Sequence, residues 1–410
     1  MKILLVNKFL YPNGGSEIYI FELGKTLVKM GHEVQYFGME HEGRIVGNHA
    51  ESYTSNMDFH TGKLQKLLYP FKIIYSREAR KKIRLVLDDF APDVVHLNNI
   101  NFQITPSILY EIKEYEKKNN KPVRIVYTAH DSQWVCPNHL MLIPSNSELC
   151  FACQGGRFLA CSKNKCIHNS TVKSILASLE AYYYRWRKTY DMVDVIICPS
   201  EFIKKRLDTN PLLAKKTLVL HNFVPESEKK EEDGARWERM RQSLPEKYVL
   251  YFGRFSKEKG VETLLQVCKK MPEIPFVFAG TGPFMTEVSR MPNIRNVGFV
   301  TGEVLQRLIA GAAFSLYPSE CHENCPFSVM ESQLYGTPMI VSRLGGIPEL
   351  LEDGVTGELF EPGNAAELKE KIARLWNHPE ICEKYRENCK YIKFETVEEY
   401  CGKIVRKVYK

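Results

Sequence analysis

One helix with clear signals at both ends constrains the fold of this chain more than any other stretch. Pro326 can occupy the first turn of that helix, because the N–H that proline lacks would be unpaired there. Gly336 and Pro338 end the helix, and the apolar residues 339–341 then read as a strand. A helix followed so closely by a buried strand is typical of alternating α/β folds, in which helices cover a parallel sheet.

Two carboxylates flank the start of this helix. Glu331 lies inside it, and Glu323 lies just before its N-terminus, where the unpaired amides of residues 325–328 point outward at the positive end of the helix dipole. Such an end binds anions, and the carboxylates accept hydrogen bonds from sugar or ribose hydroxyls. The pattern therefore indicates a nucleotide-sugar site; the alternative is an ordinary capped helix of an α/β domain.

The sequence after Glu323 carries a family resemblance. Two glutamates separated by seven residues are followed by Tyr-Gly-Thr-Pro at residues 335–338 and by Gly-Gly-Ile-Pro-Glu at residues 345–349. These motifs resemble the retaining nucleotide-sugar glycosyltransferases of family 4. The resemblance covers nearly the whole chain and is most specific in its C-terminal half. It implies an α/β GT-B fold, with two Rossmann-like domains whose parallel sheets face a central cleft.

The resemblance also predicts the domain boundaries. Residues 1–224 would form the acceptor-side domain, with a cysteine-rich insertion at about residues 134–170. Residues 225–394 would form the nucleotide-sugar-binding domain, and residues 395–410 a helix that crosses back to the first domain. The charged residues 226–246 are a candidate linker.

Two cations mark the start of the second domain. A strand at residues 247–252 runs into Gly253, and Arg254 and Lys259 follow before Gly260. Cations on such a turn can neutralise a diphosphate, whereas the alternative is a basic surface loop. The resemblance implies that Arg254 and Lys259 hold the leaving diphosphate, with Lys257 as the less favoured neighbour. It also implies donor contacts from Gly253, Gly280, Gly282, Val300, Cys325, Pro326, Phe327, Ser328, Val329 and Glu331.

The first domain offers a second group of candidates. Gly14 and Gly15 form a turn between a strand and a helix, where the backbone can approach a ligand. His130 ends a predicted strand, and sites in open parallel sheets gather at such ends. The resemblance implies that the Gly14-Gly15 loop faces the donor phosphates and that His130 contacts the sugar. The alternative for His130 is a structural histidine.

Positive charge is concentrated in the first half of the chain. Residues 1–222 hold 30 Lys and Arg against 21 Asp and Glu, a net charge of +9, while the remainder is −2. Residues 61–90 are basic and apolar, which suits either an anionic membrane surface or a solvated helix face packed on the core. The aromatic and cationic end of a helix at residues 171–190 leaves the same two options open. We find no nucleic-acid-binding motif.

Five cysteines occur within 31 residues of the insertion, at positions 136, 150, 153, 161 and 166. A cluster with one Cys-x-x-Cys motif suits a structural zinc, which takes four thiolates from short loops. Free thiols and, more distantly, an iron–sulfur cluster are the alternatives. A subset of family members carries similar cysteines, and this resemblance implies the zinc ligands Cys136, Cys150, Cys153 and Cys166.

The predicted localisation is cytoplasmic, either free or peripheral at the inner face of the cell membrane, because Met1 leads directly into a strand pattern without a signal peptide. No apolar run approaches the length that spans a bilayer. In that compartment cysteines are thiols or metal ligands more often than disulfides.

The predicted activity is retaining transfer of a sugar from a UDP- or GDP-sugar to a glycan hydroxyl, in capsule, exopolysaccharide or O-antigen synthesis with a polyprenyl-diphosphate-linked acceptor. Arg254, Lys259 and the helix amides would stabilise the leaving diphosphate, and Glu323 would contact the sugar. No Asp-x-Asp motif occurs, which fits catalysis without a metal cofactor. The alternatives are a GT-B nucleotide-sugar epimerase and a donor-binding membrane scaffold without activity.

Overall fold

The computed structural model describes residues 1–55, 73–225 and 233–410. The chain divides into two compact units. The first comprises Met1–Asn222 and Val397–Lys410, and the second comprises Phe223–Thr396. Each unit is built on its own six-stranded parallel sheet.

The first unit forms its sheet from short apolar strands. In chain order its strands are β1 (Lys2–Val6), β2 (Glu33–Phe37), β3 (Val94–Leu97), β4 (Arg124–Thr128), β5 (Leu142–Ile143), β6 (Glu148–Leu149), β7 (Val195–Cys198) and β8 (Thr217–Val219). The sheet has the order β2-β1-β3-β4-β7-β8, and β5 and β6 form a separate antiparallel pair. The apolar residues of β1 and β3 are buried, as expected where helices cover both faces of a parallel sheet.

Helices connect these strands. Their bounds are Gly15–Lys29, Arg77–Phe90, Ile108–Asn119, Leu159–Lys163, Thr171–Trp186, Glu201–Leu207, Pro211–Ala214 and Val397–Lys407. Three of them begin at a serine whose hydroxyl accepts a backbone N–H of the first turn. These caps are Ser76 to Ala79, Ser170 to Lys173 and Ser200 to Ile203.

The last helix, Val397–Lys407, packs into the first unit through buried hydroxyl groups. The Tyr400 hydroxyl lies 2.9 Å from that of Tyr19. The Tyr409 hydroxyl lies 2.8 Å from Nδ1 of His96, whose Nε2 lies 2.7 Å from Oγ1 of Thr128. Burial lowers the pKa of His96 to about 3, so its imidazole is neutral in this network.

The second unit has the strands β9 (Val249–Phe252), β10 (Phe276–Ala279), β11 (Ile294–Gly298), β12 (Phe314–Tyr317), β13 (Met339–Ser342) and β14 (Gly357–Phe360). Their order is β11-β10-β9-β12-β13-β14. Its helices are Asp233–Arg241, Val261–Lys269, Met285–Arg290, Gly302–Ala310, Phe327–Leu334, Ala365–Asn377 and Pro379–Cys389. The strand order reverses between β9 and β12, and ligands of open α/β sheets bind at the carboxyl ends of strands beside such a reversal.

The candidate linker proves partly helical. Residues 226–232 lie outside the described residues, but Asp233–Arg241 is a helix. Trp237, Met240 and Leu244 pack on the apolar cluster of the second unit around Leu250. Trp237 and Met240 lie one turn apart on the helix and Leu244 follows its end, so this part of the segment belongs to the second unit.

The basic segment at residues 61–90 is described only from residue 73 onward. Its described cations lie on the helix Arg77–Phe90, where Arg80 and Arg84 are paired with Glu111 at 2.7 and 2.9 Å. These two guanidinium groups therefore stabilise helix packing. Within the described parts of the chain, we find no helix long and apolar enough to cross a bilayer.

Candidate functional site

Two loops meet where the strand order of the second unit reverses. One follows β9 and contains residues 253–260, and the other follows β12 and contains residues 318–323. The Glu320 N–H donates to the Glu258 carbonyl at 2.9 Å. Gly260 has a φ of +72°, and a Cβ there would overlap the Pro318 carbonyl oxygen. Only glycine therefore allows the two backbones to approach so closely.

This contact brings Lys259 and Glu323 together as an ion pair. The Lys259 amine also lies 3.3 Å from the Tyr317 hydroxyl, and the Ser319 hydroxyl donates to the Glu323 carboxylate at 3.2 Å. Burial acts to lower the pKa of Lys259, but the Glu323 carboxylate outweighs it and holds that pKa well above its ordinary value. Lys259 is thus a fixed, half-buried cation at the carboxyl end of the sheet.

A third loop fixes the backbone of Glu323. The Gly346 N–H donates to the Glu323 carbonyl at 2.7 Å. Gly345 has a φ of +64°, and a Cβ there would overlap that same carbonyl. The pair Gly345-Gly346 therefore positions Glu323.

The helix beyond Glu323 starts one residue later than its sequence suggests. Pro326 is the N-cap, with φ −68° and ψ 126°, and the helix is Phe327–Leu334. Proline fits this position as well as it fits the first helical turn, because neither position needs its backbone N–H and both allow its fixed φ. Glu331 lies within this helix, and burial raises the pKa of its carboxyl to about 7.

Several predicted donor residues turn their side chains into the core. Cys325 and Val329 belong to an apolar cluster with Tyr317, and the Val329 N–H donates to the Pro326 carbonyl at 3.2 Å. Val300 is buried in the cluster around Leu250. Phe327 and Ser328 are half-buried at the helix start. Any contact of Val300, Cys325 or Val329 with a ligand must therefore use the backbone.

The predicted glycine turns support the loop that carries Arg254. Gly253, Gly280 and Gly282 have φ values of +151°, +153° and +157°. A Cβ at Gly280 would overlap the Gly253 carbonyl, and one at Gly282 would overlap the Phe255 backbone. These turns pack the loop tightly, and Arg254 lies exposed at its start.

The first unit has a polar cluster at the ends of β1 and β3, where its strand order also reverses. The Asn7 side-chain amide donates to the Glu17 carboxylate at 2.9 Å, and its oxygen accepts the Asn99 N–H at 3.0 Å. The Asn99 amide donates to the Ser16 hydroxyl at 2.8 Å. Gly14 and Gly15 begin the helix that carries Glu17, so the predicted turn lies beside this cluster.

His130 lies two residues beyond the carboxyl end of β4, whereas the sequence pattern placed it at the end of the strand itself. Its Nε2 lies 2.9 Å from Oδ1 of Asn98, which can only accept, so His130 donates from Nε2. Burial lowers the pKa of His130 to about 3, and the imidazole is therefore neutral. Its ring meets the edge of Tyr19 with the centroids 4.9 Å apart.

Reasoning from the sequence missed several residues that make hydrogen bonds at these two sheet ends. In the second unit these are Tyr317 and Ser319, and in the first unit they are Asn7, Asn98 and Asn99. All follow or end a buried strand, which was the available signal. Tyr317 lies 58 positions from Lys259 and Asn98 lies 32 positions from His130, so the signal did not show which group each would contact.

The cysteine-rich insertion gathers the predicted zinc ligands without arranging them around a metal. Cys136, Cys150, Cys153 and Cys166 line one small cavity. Cys136 is hydrogen-bonded to Cys153, and Cys166 is hydrogen-bonded to the fifth cysteine, Cys161. These hydrogen bonds lower the pKa of the Cys136 and Cys166 thiols. Among the described residues, no group of three or more His, Cys, Asp or Glu side chains could hold a metal ion. The zinc site is unsupported by this geometry.

Comparison with known proteins gives the family. Residues 13–228 match the family model described as "Glycosyltransferase Family 4", which covers more than half of the chain. The chain belongs to glycosyltransferase family 4. Residues 236–391 match a second model, "Glycosyl transferases group 1". The family resemblance noted in the glutamate and glycine motifs is thereby confirmed.

Curated relatives of this family 4 chain come from several microbes. An uncharacterized glycosyltransferase of Methanocaldococcus jannaschii is 27% identical over 250 residues, 59% of this chain and 66% of that protein. An uncharacterized protein of the Klebsiella pneumoniae cps region is 22% identical over 372 residues, 85% and 87% of the two chains. The Escherichia coli O-antigen chain mannosyltransferase C is 27% identical over 207 residues, 48% and 54%. The chain thus spans 66% and 54% of the first and third of these relatives.

Solved structures share the fold of this family 4 chain. The Anabaena HepE structure in complex with UDP superposes with a TM-score of 0.65 and 17% identity, covering 99% of each chain. Sucrose-phosphate synthase from Thermosynechococcus elongatus gives 0.68 and 17%, covering 100% of this chain and 99% of that one. The predicted GT-B fold, with two Rossmann-like parallel sheets, is confirmed.

Proposed function

We propose that this protein transfers a sugar from a nucleotide-diphosphate sugar to a glycan hydroxyl, with retention of the anomeric configuration. The observation that carries the proposal is the Lys259–Glu323 ion pair at the strand-order reversal of the second unit. A cation and a carboxylate side by side suit a ligand that joins a diphosphate to a sugar. Family membership and the UDP complex of the structural neighbour HepE support a nucleotide-sugar donor.

The chemical difficulty of this reaction is the charge that develops as the bond from the sugar C1 to the diphosphate oxygen breaks. The electron pair of that bond goes to the diphosphate. Lys259 is positioned to stabilise this charge, since its amine is held by Glu323 and stays protonated. Arg254, exposed on the same loop, supplies the second cation. Pre-positioned charges of this kind are usually the largest single contribution to catalysis.

The carboxylates and His130 complete the proposed assignments. Glu323 accepts a hydrogen bond from a hydroxyl of the transferred sugar, and Glu331 accepts from the ribose hydroxyls. On the acceptor side, His130 contacts the sugar, and the Gly14-Gly15 turn lets the backbone approach the ligand. Because His130 is neutral and donates from Nε2 to Asn98, it acts in this scheme as a hydrogen-bonding group without charge.

A thermal-shift panel tests the donor site. Purified protein is heated with UDP, GDP, ADP, dTDP or CMP in turn. We expect one of them, at a hundred times its dissociation constant, to stabilise the protein by about 2.7 kcal/mol. Release of that nucleotide from its sugar ester, with a glycosylated product, then shows transfer. A flat panel would contradict the proposal, and conversion of the donor sugar without an acceptor would indicate an epimerase instead.

Donor affinity should depend on pH through Glu331. Burial raises the pKa of its carboxyl to about 7 in the free protein, whereas ribose hydroxyls bind the ionised form. Affinity should therefore rise with pH through 7 and fall about tenfold from pH 8 to pH 6, since each unit below the pKa lowers the ionised fraction tenfold. Titration calorimetry with UDP-glucose, or GDP-mannose if GDP responds in the panel, measures this. The control Glu331→Gln should bind weakly at both pH values; an unchanged slope in that variant would contradict the assignment.

The biological setting we propose is synthesis of a capsule, exopolysaccharide or O-antigen glycan on a polyprenyl-diphosphate-linked acceptor at the inner face of the membrane. It is supported by the relatives from a cps region and by the O-antigen mannosyltransferase. The +9 net charge of residues 1–222 suits an anionic membrane surface as partner. Both UDP-sugars and GDP-sugars stay candidate donors.

Zinc in the insertion stays a prediction from the cysteine spacing. If it is correct, elemental analysis of protein purified without chelator should find one zinc per chain, and Cys153→Ser should lose it. Cys268→Ser, at a buried thiol in the core of the second unit, is the matched control and should have no effect on metal content. Wild-type protein that contains no metal, and whose unfolding temperature does not rise when zinc is added, would show that the thiols are free.

A further inference from the structure

The helix Thr171–Trp186 exposes a strongly apolar side and buries a more polar one, the opposite of an ordinary surface helix. A surface helix normally turns its apolar side to the core and its polar side to water. Here the buried side is made of Ser174, Ala177, Ser178, Glu180 and Tyr184. The outward side carries Val172, Ile175, Leu179 and Trp186, with exposed fractions of 68%, 43%, 52% and 76%.

Hydrogen bonds on the buried side fix the helix in this orientation. The Ser178 hydroxyl donates to the Phe158 carbonyl at 2.8 Å and lies 2.8 Å from that of Ser162. The Ser174 hydroxyl accepts the Ile167 N–H at 2.9 Å. A rotation that buried the apolar side would break these bonds, so the outward direction of the apolar residues is built into the packing.

The short helix Leu159–Lys163 extends the same surface. The Leu159 N–H donates to the Tyr182 hydroxyl at 3.3 Å, and Leu159 itself is 59% exposed. We refer to Leu159, Val172, Ile175, Leu179 and Trp186 together as the apolar face. Scattered single apolar residues are normal on a protein surface, but a group of five on two packed helices indicates a binding surface.

The charges around the apolar face are almost all positive. Residues 157–188, all of them described, contain the cations Arg157, Lys163, Lys165, Lys173, Arg185, Arg187 and Lys188. The single acid in this stretch is Glu180, which lies on the buried side of the helix. The stretch that carries the apolar face thus contributes six exposed cations, one half-buried cation and no exposed carboxylate.

We infer that the apolar face lies on an anionic lipid surface, with Leu179 and Trp186 inserted at the headgroup boundary and the surrounding cations on lipid phosphates. Apolar and aromatic side chains ringed by lysine and arginine are the combination that binds such a surface. A second copy of this chain is disfavoured as the occupant, since it would bring two sets of seven cations together. The inference rests on the membrane setting of the proposed function and names the residues that make the contact.

Sedimentation with lipid vesicles tests this inference. Full-length protein is mixed with phosphatidylcholine vesicles that contain about 30 mol% phosphatidylglycerol, so that basic residues meet anionic headgroups. Vesicles of phosphatidylcholine alone are the comparison. We expect binding to the anionic vesicles that weakens at high salt. The variant Val172→Ser/Ile175→Ser/Leu179→Ser/Trp186→Ser should bind at least about tenfold more weakly, since it loses the buried apolar area.

A matched variant controls for loss of exposed apolar side chains in general. Val28 and Tyr391 are 55% and 82% exposed and lie outside the apolar face, so Val28→Ser/Tyr391→Ser should bind vesicles like the wild type. Thermal unfolding checks that each variant is folded. The nucleotide thermal shift reads the donor site separately, so a failed membrane contact and a failed glycosyltransferase proposal give different results.

Three outcomes would overturn the inference. The first is equal vesicle binding by the wild type and the variant with four serine substitutions, and the second is no binding by the wild type. The third is a wild-type dimer that the same four substitutions turn into a monomer, which would show that the apolar face covers a second copy.

Discussion

Replacing Lys259 with alanine should lower the rate of nucleotide release from the donor sugar by about 10²–10³, the loss typical when one pre-positioned charge-stabilising group is removed. The reason is the geometry around this side chain. The Glu323 carboxylate and the Tyr317 hydroxyl hold the amine at the carboxyl end of β9 and β12. A flexible surface lysine would first have to be ordered by the ligand, whereas Lys259 is already in place.

Lys257→Ala is the matched control for this experiment. Lys257 lies two residues away on the same loop, is exposed, and has its amine 4.0 Å from the Glu262 carboxylate. Its removal changes the charge of the loop equally but should leave the rate within about twofold, because exposed ion pairs contribute little. Circular dichroism and the unfolding temperature establish that both variants are folded. Wild-type activity in a folded Lys259→Ala protein would contradict the assignment of Lys259 to the leaving diphosphate.

Gly260→Ala should destabilise the second unit by about 2–5 kcal/mol. Part of this cost is the positive φ of +72°, worth about 1–2 kcal/mol for an L residue. The rest is the overlap of the new methyl group with the Pro318 carbonyl, since forcing extra volume into a packed site typically costs about 1–3 kcal/mol. The substitution also separates the two loops that join Lys259 to Glu323, so the activity should fall as well.

Gly354→Ala separates these two causes. Gly354 has a φ of +75°, almost that of Gly260, but a Cβ there meets nothing within 4 Å. The control should therefore show only the backbone cost, and the unfolding temperature should fall by about 2–4 °C for each kcal/mol in a unit of this size. Equal shifts for Gly354→Ala and Gly260→Ala would show that close packing against Pro318 contributes nothing.

The sequence allowed the fold and the charged residues of the site to be predicted, because their signals are local. A proline and a glycine placed the ends of the helix Phe327–Leu334 to within one residue. Alternating strand and helix patterns indicated α/β units, and the family resemblance implied the two parallel sheets that the structure contains. Lysine and glutamate after buried strands marked Lys259 and Glu323 as candidates for one site.

Other features could not be read from the sequence. The Lys259–Glu323 pair joins residues 64 positions apart, and it forms because β12 lies next to β9 in the sheet. The role of Gly345 under the Glu323 carbonyl depends on the same arrangement. The cysteine spacing fitted zinc, but thiols that line one cavity still need the right directions to share a metal.

The helix Thr171–Trp186 shows most clearly what the sequence determined and what the tertiary structure decided. Its sequence fitted a membrane contact and a packed helix end equally well, because a periodic apolar pattern does not say which side faces the core. The hydrogen bonds of Ser174 and Ser178 decided that its serine side is buried and its apolar side is exposed. The sequence by itself determined most of the helices and strands and which residues carry charge, since these depend on neighbours in the chain. Only the tertiary structure decided which charges pair and which surfaces face outward, since these depend on residues that the fold brings together.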